Sequence, residues 1–203
     1  MKVSVQRVAV GELAVNCYIV ENTLTHECFI VDPGAEKERI IRSVGERKVS
    51  AVLLTHGHYD HIGAVDDICA HYACPVYIHS ADADKLSDAM ANVSAVFAEP
   101  VTQHTVPVTV EEGSLTLAGM QVEIMHTPGH SNGSICCILP ENQGVLTGDT
   151  LFAHGYGRTD FADGEFALLH HSLRKLFKLT PRMIAYPGHN GIGVVGRDPV
   201  EEQ

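Results

Sequence analysis

Seven side chains able to bind metal stand in four glycine-containing loops of this chain, and each loop opens directly after a short apolar run. The densest is Thr55-His56-Gly57-His58-Tyr59-Asp60-His61, which follows Ala51 to Leu54. In extended backbone, residues two apart face the same side, so His56 and His58 can grip one ion. The chain then turns toward a helical stretch that projects Asp60 and His61 from another direction, where they could serve a second ion. Gly57 permits the bend. Thr127-Pro128-Gly129-His130 follows Gln121 to His126, Thr147-Gly148-Asp149 follows Val145, and Pro187-Gly188-His189 follows Met183 to Tyr186. A glycine immediately before His130, Asp149 and His189 lets the backbone turn sharply and aim one side chain. Five imidazoles and two carboxylates form a nitrogen-and-oxygen shell suited to Zn(II), Fe(II) or Mn(II). No cysteine lies in these loops, which argues against a thiolate-rich structural zinc.

Function-bearing loops need a rigid scaffold, and the pattern between them supplies one. Strands are expected at Lys2 to Val10, Asn16 to Val20, Glu27 to Val31, Ala51 to Leu54 and Val76 to His79. More follow at Leu115 to Leu117, Gln121 to His126, Ile135 to Leu139, Val145 to Thr147 and Met183 to Tyr186, all bounded by turn residues. Helical spacing predicts helices over Glu36 to Glu46 and Ile62 to Tyr72, and a weaker helix with an excursion over Ser80 to Phe97. Glu165 to Lys178 is amphipathic, with Phe166, Leu169, Leu173, Leu176 and Phe177 on one stripe. Two layers of sheet covered outside by helices would bury these pieces.

With 203 residues, the chain suits one domain over 1–203. Its formal charge of -11 would repel phosphate backbones, which argues against a nucleic-acid partner. No apolar run approaches the ~20 residues that span a bilayer. Met1 to Val10 alternates in polarity instead of forming a signal-peptide core. The expectation is a cytoplasmic protein acting on a small molecule, without a membrane partner. Cys136 and Cys137 sit inside the apolar run Ile135 to Leu139 and read as buried small hydrophobes, not a disulfide. Of the other histidines, His126 is expected to pack in its strand. His26, His71, His79, His104, His170 and His171 are expected on the surface or on helix faces.

The series His56-x-His58-x-Asp60-His61 with His130, Asp149 and His189 resembles the metallo-β-lactamase fold superfamily, and within it the short glyoxalase II-like (hydroxyacylglutathione hydrolase-like) proteins that lack a separate C-terminal helical domain. Asn16-Cys17-Tyr18, Val31-Asp32-Pro33-Gly34, Thr127 to Ser131, and Gly148-Asp149-Thr150-Leu151-Phe152 leading into Gly157-Arg158-Thr159-Asp160-Phe161 extend it along the chain. The resemblance implies an α/β (α+β) fold, the four-layer αββα sandwich, with two divalent ions at one edge between the sheets. Zn(II) is the first expectation, with Fe(II) or Mn(II) as alternatives. It further implies that His56, His58 and His130 bind one ion, that Asp60, His61 and His189 bind the other, and that Asp149 bridges them. The family commonly carries threonines after its Pro-Gly-His-Gly; here Asn190, Gly191 and Ile192 stand instead, and Gly196-Arg197-Asp198-Pro199 matches only loosely.

The activity implied is a dinuclear metal-dependent hydrolase of thioesters. A water held between ions ~3.5–4 Å apart would be acidified toward pKa ~7 and attack the carbonyl, with Asp60 orienting it as the catalytic residue. The rival is a mononuclear Fe(II) persulfide dioxygenase using His56, His130 and Asp149. An Arg158–Asp160 pair is expected to brace the ligand loop or staple it internally. His154 and Tyr156 are candidates to line the pocket, and Tyr59 is given no role.

Overall fold

The computed structural model describes residues 2–196; the segment Arg197-Asp198-Pro199 noted above lies outside them. One six-stranded sheet holds β1 (Val3–Val10), β2 (Val15–Asn22), β3 (Glu27–Val31), β4 (Lys48–Leu53), β5 (Val76–His79) and β6 (Val108–Val110), side by side in that order. The second is also six-stranded, in the order β12-β11-β10-β9-β8-β7. It is built from β7 (Gly113–Leu117), β8 (Met120–His126), β9 (Ile135–Ile138), β10 (Val145–Gly148), β11 (Ile184–Pro187) and β12 (Gly193–Val194). Neighbours β3/β4, β4/β5 and β10/β11 run parallel. Parallel neighbours need a crossover, and helices supply it: α1 (Lys37–Val44), α2 (Tyr59–Ile62) with α3 (Val65–Tyr72), and, after the one-turn α4 (Ser94–Phe97), α5 (Phe166–Leu179).

Side-chain alternation explains the layering. On β2 and β3, Tyr18, Val20, Phe29 and Val31 point toward the other sheet and meet Met120, Val122, Ile124, Ile135 and Leu146. Their neighbours Cys17, Ile19, Cys28 and Ile30 point the opposite way, onto Ile40 and Val44 of α1 and Val65 and Ile68 of α3. Across the second sheet, Met125, Cys136, Val145 and Ala185 pack on Leu169, Leu173 and Leu176 of α5. Both faces are thus buried on the central strands β2, β3, β9 and β10, which is why these read as nearly continuous apolar runs, while β7 and β8 alternate with exposed residues. The result is helix, sheet, sheet, helix. The six cysteines are buried and free, in agreement with the reading of Cys136 and Cys137 as small hydrophobes.

Four local expectations need correction. Ile62 to Tyr72 is not one helix: the chain breaks at Gly63-Ala64, where the Ala64 N–H donates to the Pro33 carbonyl. Ser80 to Phe97 is a 3-10 segment over Ser80–Leu86 and, later, the single turn α4. Side chains compete there for the backbone: Asp88 Oδ1 accepts from Met90 and Ala91, and Asn92 Oδ1 accepts from Ser94. Phe166 opens α5 but is 53% exposed, and Ser172 is buried in the stripe with Leu169, Leu173 and Leu176. His79, expected at the surface, is buried at the end of β5, stacked on His126 with ring centroids 4.0 Å apart. The short β6 and β12 were not anticipated, because two or three residues show no period.

Candidate metal centre

The seven side chains converge at one edge of the two sheets. His56 and His58 come from the loop after β4, and Asp60 and His61 from α2, which that loop enters. His130 follows β8, Asp149 follows β10 and His189 follows β11. His58 is extended (φ -70°, ψ 148°) immediately before the helix, so the chain changes direction between the two pairs. The rings of His56 and His58 lie edge to face with centroids 4.7 Å apart, and His58 Nδ1 faces His130 Nε2 at 3.0 Å. Three sets of donor atoms could each hold an ion: His56, His58 and His130; His56, His61 and Asp149; and Asp60, His61 and His189. Asp149 spans the sets, with Oδ1 3.6 Å from His61 Nε2 and Oδ2 3.6 Å from His130 Nε2 and 3.5 Å from His189 Nε2. In the two-histidine, one-aspartate set, His61 takes the place expected of His130 beside His56 and Asp149. Glycine is required beside the centre: a Cβ at Gly188 would fall 2.2 Å from Asp149 Oδ1 and 2.7 Å from His61 Cε1.

Distant backbone and carboxylates set the tautomers. His130 Nδ1–H donates to the Arg158 carbonyl at 2.8 Å, and His189 Nδ1–H to the Leu13 carbonyl at 3.1 Å. His61 Nδ1 meets Asp32 Oδ2 at 3.0 Å. Each contact leaves Nε2 free to turn its lone pair inward, the arrangement that metal-binding histidines commonly show. Asp32 was noted as part of a motif but given no role. It sits in a left-handed conformation (φ 49°), and its two oxygens also take the Thr55 N–H and hydroxyl, so one carboxylate orders the start of the histidine loop.

A second carboxylate was missed entirely. Asp82 is 0% exposed and accepts from Gly57 N (2.9 Å), Ser131 Oγ (2.8 Å) and Gly133 N (2.7 Å). It therefore ties the loop of His56 and His58 to the loop of His130. Buried Lys85 lies 3.3 Å from Asp82 and 2.5 Å from Asp163, which in turn accepts from Asn132 N at 3.0 Å. Nothing in the run Ser80 to Leu86 separates Asp82 from Asp84 by spacing, so no sequence signal singled it out. Arg158 and Asp160 do pair, at 2.6 Å twice, but on the surface. It is the Arg158 backbone, not its guanidinium, that holds His130. Tyr156 lines the cleft beside the centre, as does Tyr59; His154 is exposed and is not among the lining residues.

Six buried side-chain atoms among the described residues have no hydrogen-bond partner, and three of them meet in this centre: His56 Nε2, His58 Nε2 and Asp149 Oδ1. Leaving such groups unpaired is costly, and ions held among these residues would relieve that cost, so the donor set fits divalent metal. The charge balance fits as well. Burial, assisted by neighbouring imidazoles, pushes His56 and His58 well below the ordinary histidine range, so both are neutral and ready to coordinate. Burial also acts to lower His61, but Asp60, Asp149 and Asp32 outweigh it and hold the imidazolium up to about 10. His189 is raised too, against its own burial, by Asp60 and Asp149. Burial opposes ionisation of Asp60, yet His61 and His189 keep its carboxyl well below the usual range.

The two sides of the centre should accordingly differ in proton linkage. At neutral pH, filling the Asp60, His61 and His189 set displaces protons, whereas His56 and His58 have none to lose. The apparent affinity of the former should weaken by up to about tenfold per pH unit for each proton displaced as pH falls below the raised values. Calorimetric titration of metal-stripped protein with Zn(II), in buffers of different ionisation enthalpy, should show net proton release; equal, proton-neutral uptake at both sides would contradict it.

Comparison with known proteins agrees with this architecture. The profile of the metallo-beta-lactamase superfamily matches residues 10–189. The hydroxyacylglutathione hydrolase GloC of Haemophilus influenzae is 36% identical over 176 residues, spanning 83% of this chain and 82% of that protein. Among solved structures, the BLEG-1 B3 metallo-beta-lactamase superposes with a TM-score of 0.89 at 32% identity, covering 95% of this chain and 94% of that one. TTHA1623, solved in a di-iron-bound form, superposes with a TM-score of 0.82 at 32% identity, covering 94% of each chain. From strand order, donor geometry and these matches, the chain belongs to the metallo-beta-lactamase superfamily.

Proposed function

We propose that this protein is a dinuclear metal-dependent hydrolase of acyl thioesters. The observation that carries the reading is a set of buried, partnerless His and Asp donor atoms arranged in overlapping groups at the floor of an open cleft. In this reading His56, His58 and His130 would hold one divalent ion, Asp60, His61 and His189 the other, and Asp149 both. Bound there, the ions would supply a water acidified toward neutral pH and a sink for charge developing on a carbonyl oxygen. Zn(II) suits the nitrogen-rich shell, and the same donors accept Fe(II) or Mn(II).

The chain's own groups do the positioning. Asp60 is ionised and reaches the cleft, so besides coordinating it can accept a hydrogen bond from the attacking water and fix its lone pair on the carbonyl. Asp32 and Asp82 hold the histidine loops from behind, so the donors are preorganised when substrate arrives. Apart from the seven, the titratable groups lining the cleft are Tyr59, Tyr156 and Arg158, none of them carboxylic acids. An amine leaving group needs a strong proton donor; a thiolate departs as the anion, which favours thioesters over amides. The relative named for hydroxyacylglutathione hydrolysis supports the same choice.

The test is hydrolysis of an acyl-thioester panel by zinc-loaded protein, followed by thiol release. Turnover is expected, and Asp60→Asn should lower it by about 10²-fold or more. No turnover with both sites filled would overturn the proposal. The two-histidine, one-aspartate set His56, His61 and Asp149 also favours a second reading, a mononuclear Fe(II) dioxygenase acting on persulfides. Oxygen uptake with glutathione persulfide by anaerobically prepared iron protein, in the absence of thioester turnover, would establish that one instead.

A further inference from the structure

The cleft in front of the centre has a volume of about 550 Å³. Outside the seven donor residues its walls are mainly apolar, formed by Leu13, Val93, Phe97, Phe152, Tyr156 and Phe161. Past Leu13, Tyr59, Asp60 and Phe97 it continues into a groove of about 460 Å³, whose lining among the described residues includes Glu12 and Glu99 and neither lysine nor arginine. Phe97 stands on the ridge common to both. It is 55% exposed and Leu13 52%, while Val96, next to Phe97 on the chain, and Met90, seven residues before it, are also exposed. This apolar surface is mounted on an anchored segment: Asn92, fully buried, donates to the Lys85 and Val101 carbonyls and accepts the Tyr59 N–H on its own carbonyl. Exposed apolar side chains clustered at the mouth of a polar-floored cleft are the usual mark of a ligand surface.

Among the described residues the cleft wall carries one permanent cation, Arg158. Its Nε and Nη2 each lie 2.6 Å from an oxygen of Asp160, so one edge of the guanidinium is already filled by a carboxylate. Its guanidinium lies 4.6 Å from the Phe161 ring centre and 5.9 Å from that of Phe97, so its faces are taken as well. Asp160 balances the Arg158 charge, so the pair offers a substrate carboxylate little net attraction at this exposed position. Along the groove beyond Leu13 and Phe97 an anion would meet Glu12 and Glu99.

We infer that the cleft selects its thioester by charge: an apolar acyl group lies against Phe97, Phe152 and Phe161, and a neutral or cationic thiol portion lies along the Glu12 and Glu99 groove, while carboxylate-bearing carriers such as glutathione are disfavoured. This inference rests on the thioester reading above and narrows it. Recognition is then by burial of alkyl surface, at about three- to fourfold in affinity per buried methylene, and by long-range field from the acidic groove, which salt weakens.

Two measurements separate this inference from the hydrolase reading itself. The first is calorimetric binding of S-hexyl thioethers of N-acetylcysteamine and of glutathione to the zinc-loaded protein; these probes have no thioester carbonyl to attack, so binding is read without thioester turnover. The neutral thioether should bind about tenfold more tightly, with the gap narrowing as ionic strength rises. Glu12→Gln with Glu99→Gln should close most of the gap, and Phe97→Ala should flatten the dependence on alkyl length from methyl to hexyl. Tighter binding of the glutathione thioether, or a gap indifferent to neutralising both glutamates, would overturn the inference. The second measurement is kcat/KM for hexanoyl thioesters of the same two thiols, expected to follow the binding order. If neither ester is hydrolysed while the binding order holds, the hydrolase reading falls and the charge selection stands. If both are hydrolysed with glutathione preferred, the reverse is true.

Discussion

Asp149→Asn should lower thioester turnover by at least about 10²–10³-fold, the loss typical of deleting one preorganised electrostatic contact in an enzyme centre. Of the seven donors, only this carboxylate lies within 3.6 Å of imidazoles from both sides: His61 and His189 on one, His130 on the other. Asparagine keeps the size and one acceptor oxygen, so folding should survive. What it removes is the negative charge that, in the proposed dinuclear centre, would offset two cations at close range and help to hold them together. Metal stoichiometry by mass spectrometry should fall from two toward one per chain, alongside the loss of turnover. A variant that keeps both ions and more than a tenth of wild-type activity would show that Asp149 is not the shared ligand.

Asp82→Asn is the second large effect, and it acts from outside the donor set. The carboxylate is fully buried and satisfies two backbone N–H groups and a hydroxyl, with Lys85 3.3 Å away. An amide there turns an NH₂ toward a donor, strands it, and deprives Lys85 of one of its two carboxylates. Breaking such a buried charged network costs about 3 kcal/mol or more, read as a lower midpoint in chemical denaturation. The functional consequence should fall on one side of the centre. The loops released are those of His56 and His58 and of His130, so affinity there should weaken about 10–100-fold, the usual penalty for losing a residue that orients ligands. His61 and His189 are braced by Asp32 and by the Leu13 carbonyl, not by Asp82. Metal titration under conditions where the variant is folded distinguishes the outcomes. Unchanged affinity at both sides would make Asp82 a loop staple without influence on the centre.

These two residues also show how far the sequence could be read. Asp149 was legible because a glycine precedes it at the end of an apolar run, a pattern shared by His130 and His189. Asp82 was not, because its partners Gly57, Ser131 and Gly133 lie 25 to 51 residues away. The central strands were legible as runs of Val, Ile and Cys, since burial on both sheet faces makes those runs apolar, and β1, β7 and β8 as alternating segments. The stretch from Ser80 to Phe97 was misread because Asp88 and Asn92 take backbone N–H groups that a helix would have used. His79 was misassigned because its stacking partner His126 belongs to the other sheet.

The sequence by itself determined the candidate donor set and its mounting: five histidines and two aspartates, carried in glycine loops at strand ends or, for Asp60 and His61, on the short helix that such a loop enters, because residue type and local turn chemistry are written in adjacent residues. Only the tertiary structure decided which nitrogen of each imidazole faces inward, which carboxylates stand behind them, and that the cleft they floor is walled by aromatic and acidic side chains. Those properties depend on distances between segments far apart in the chain, as between Leu13 and His189, 176 positions away, or His130 and the Arg158 carbonyl.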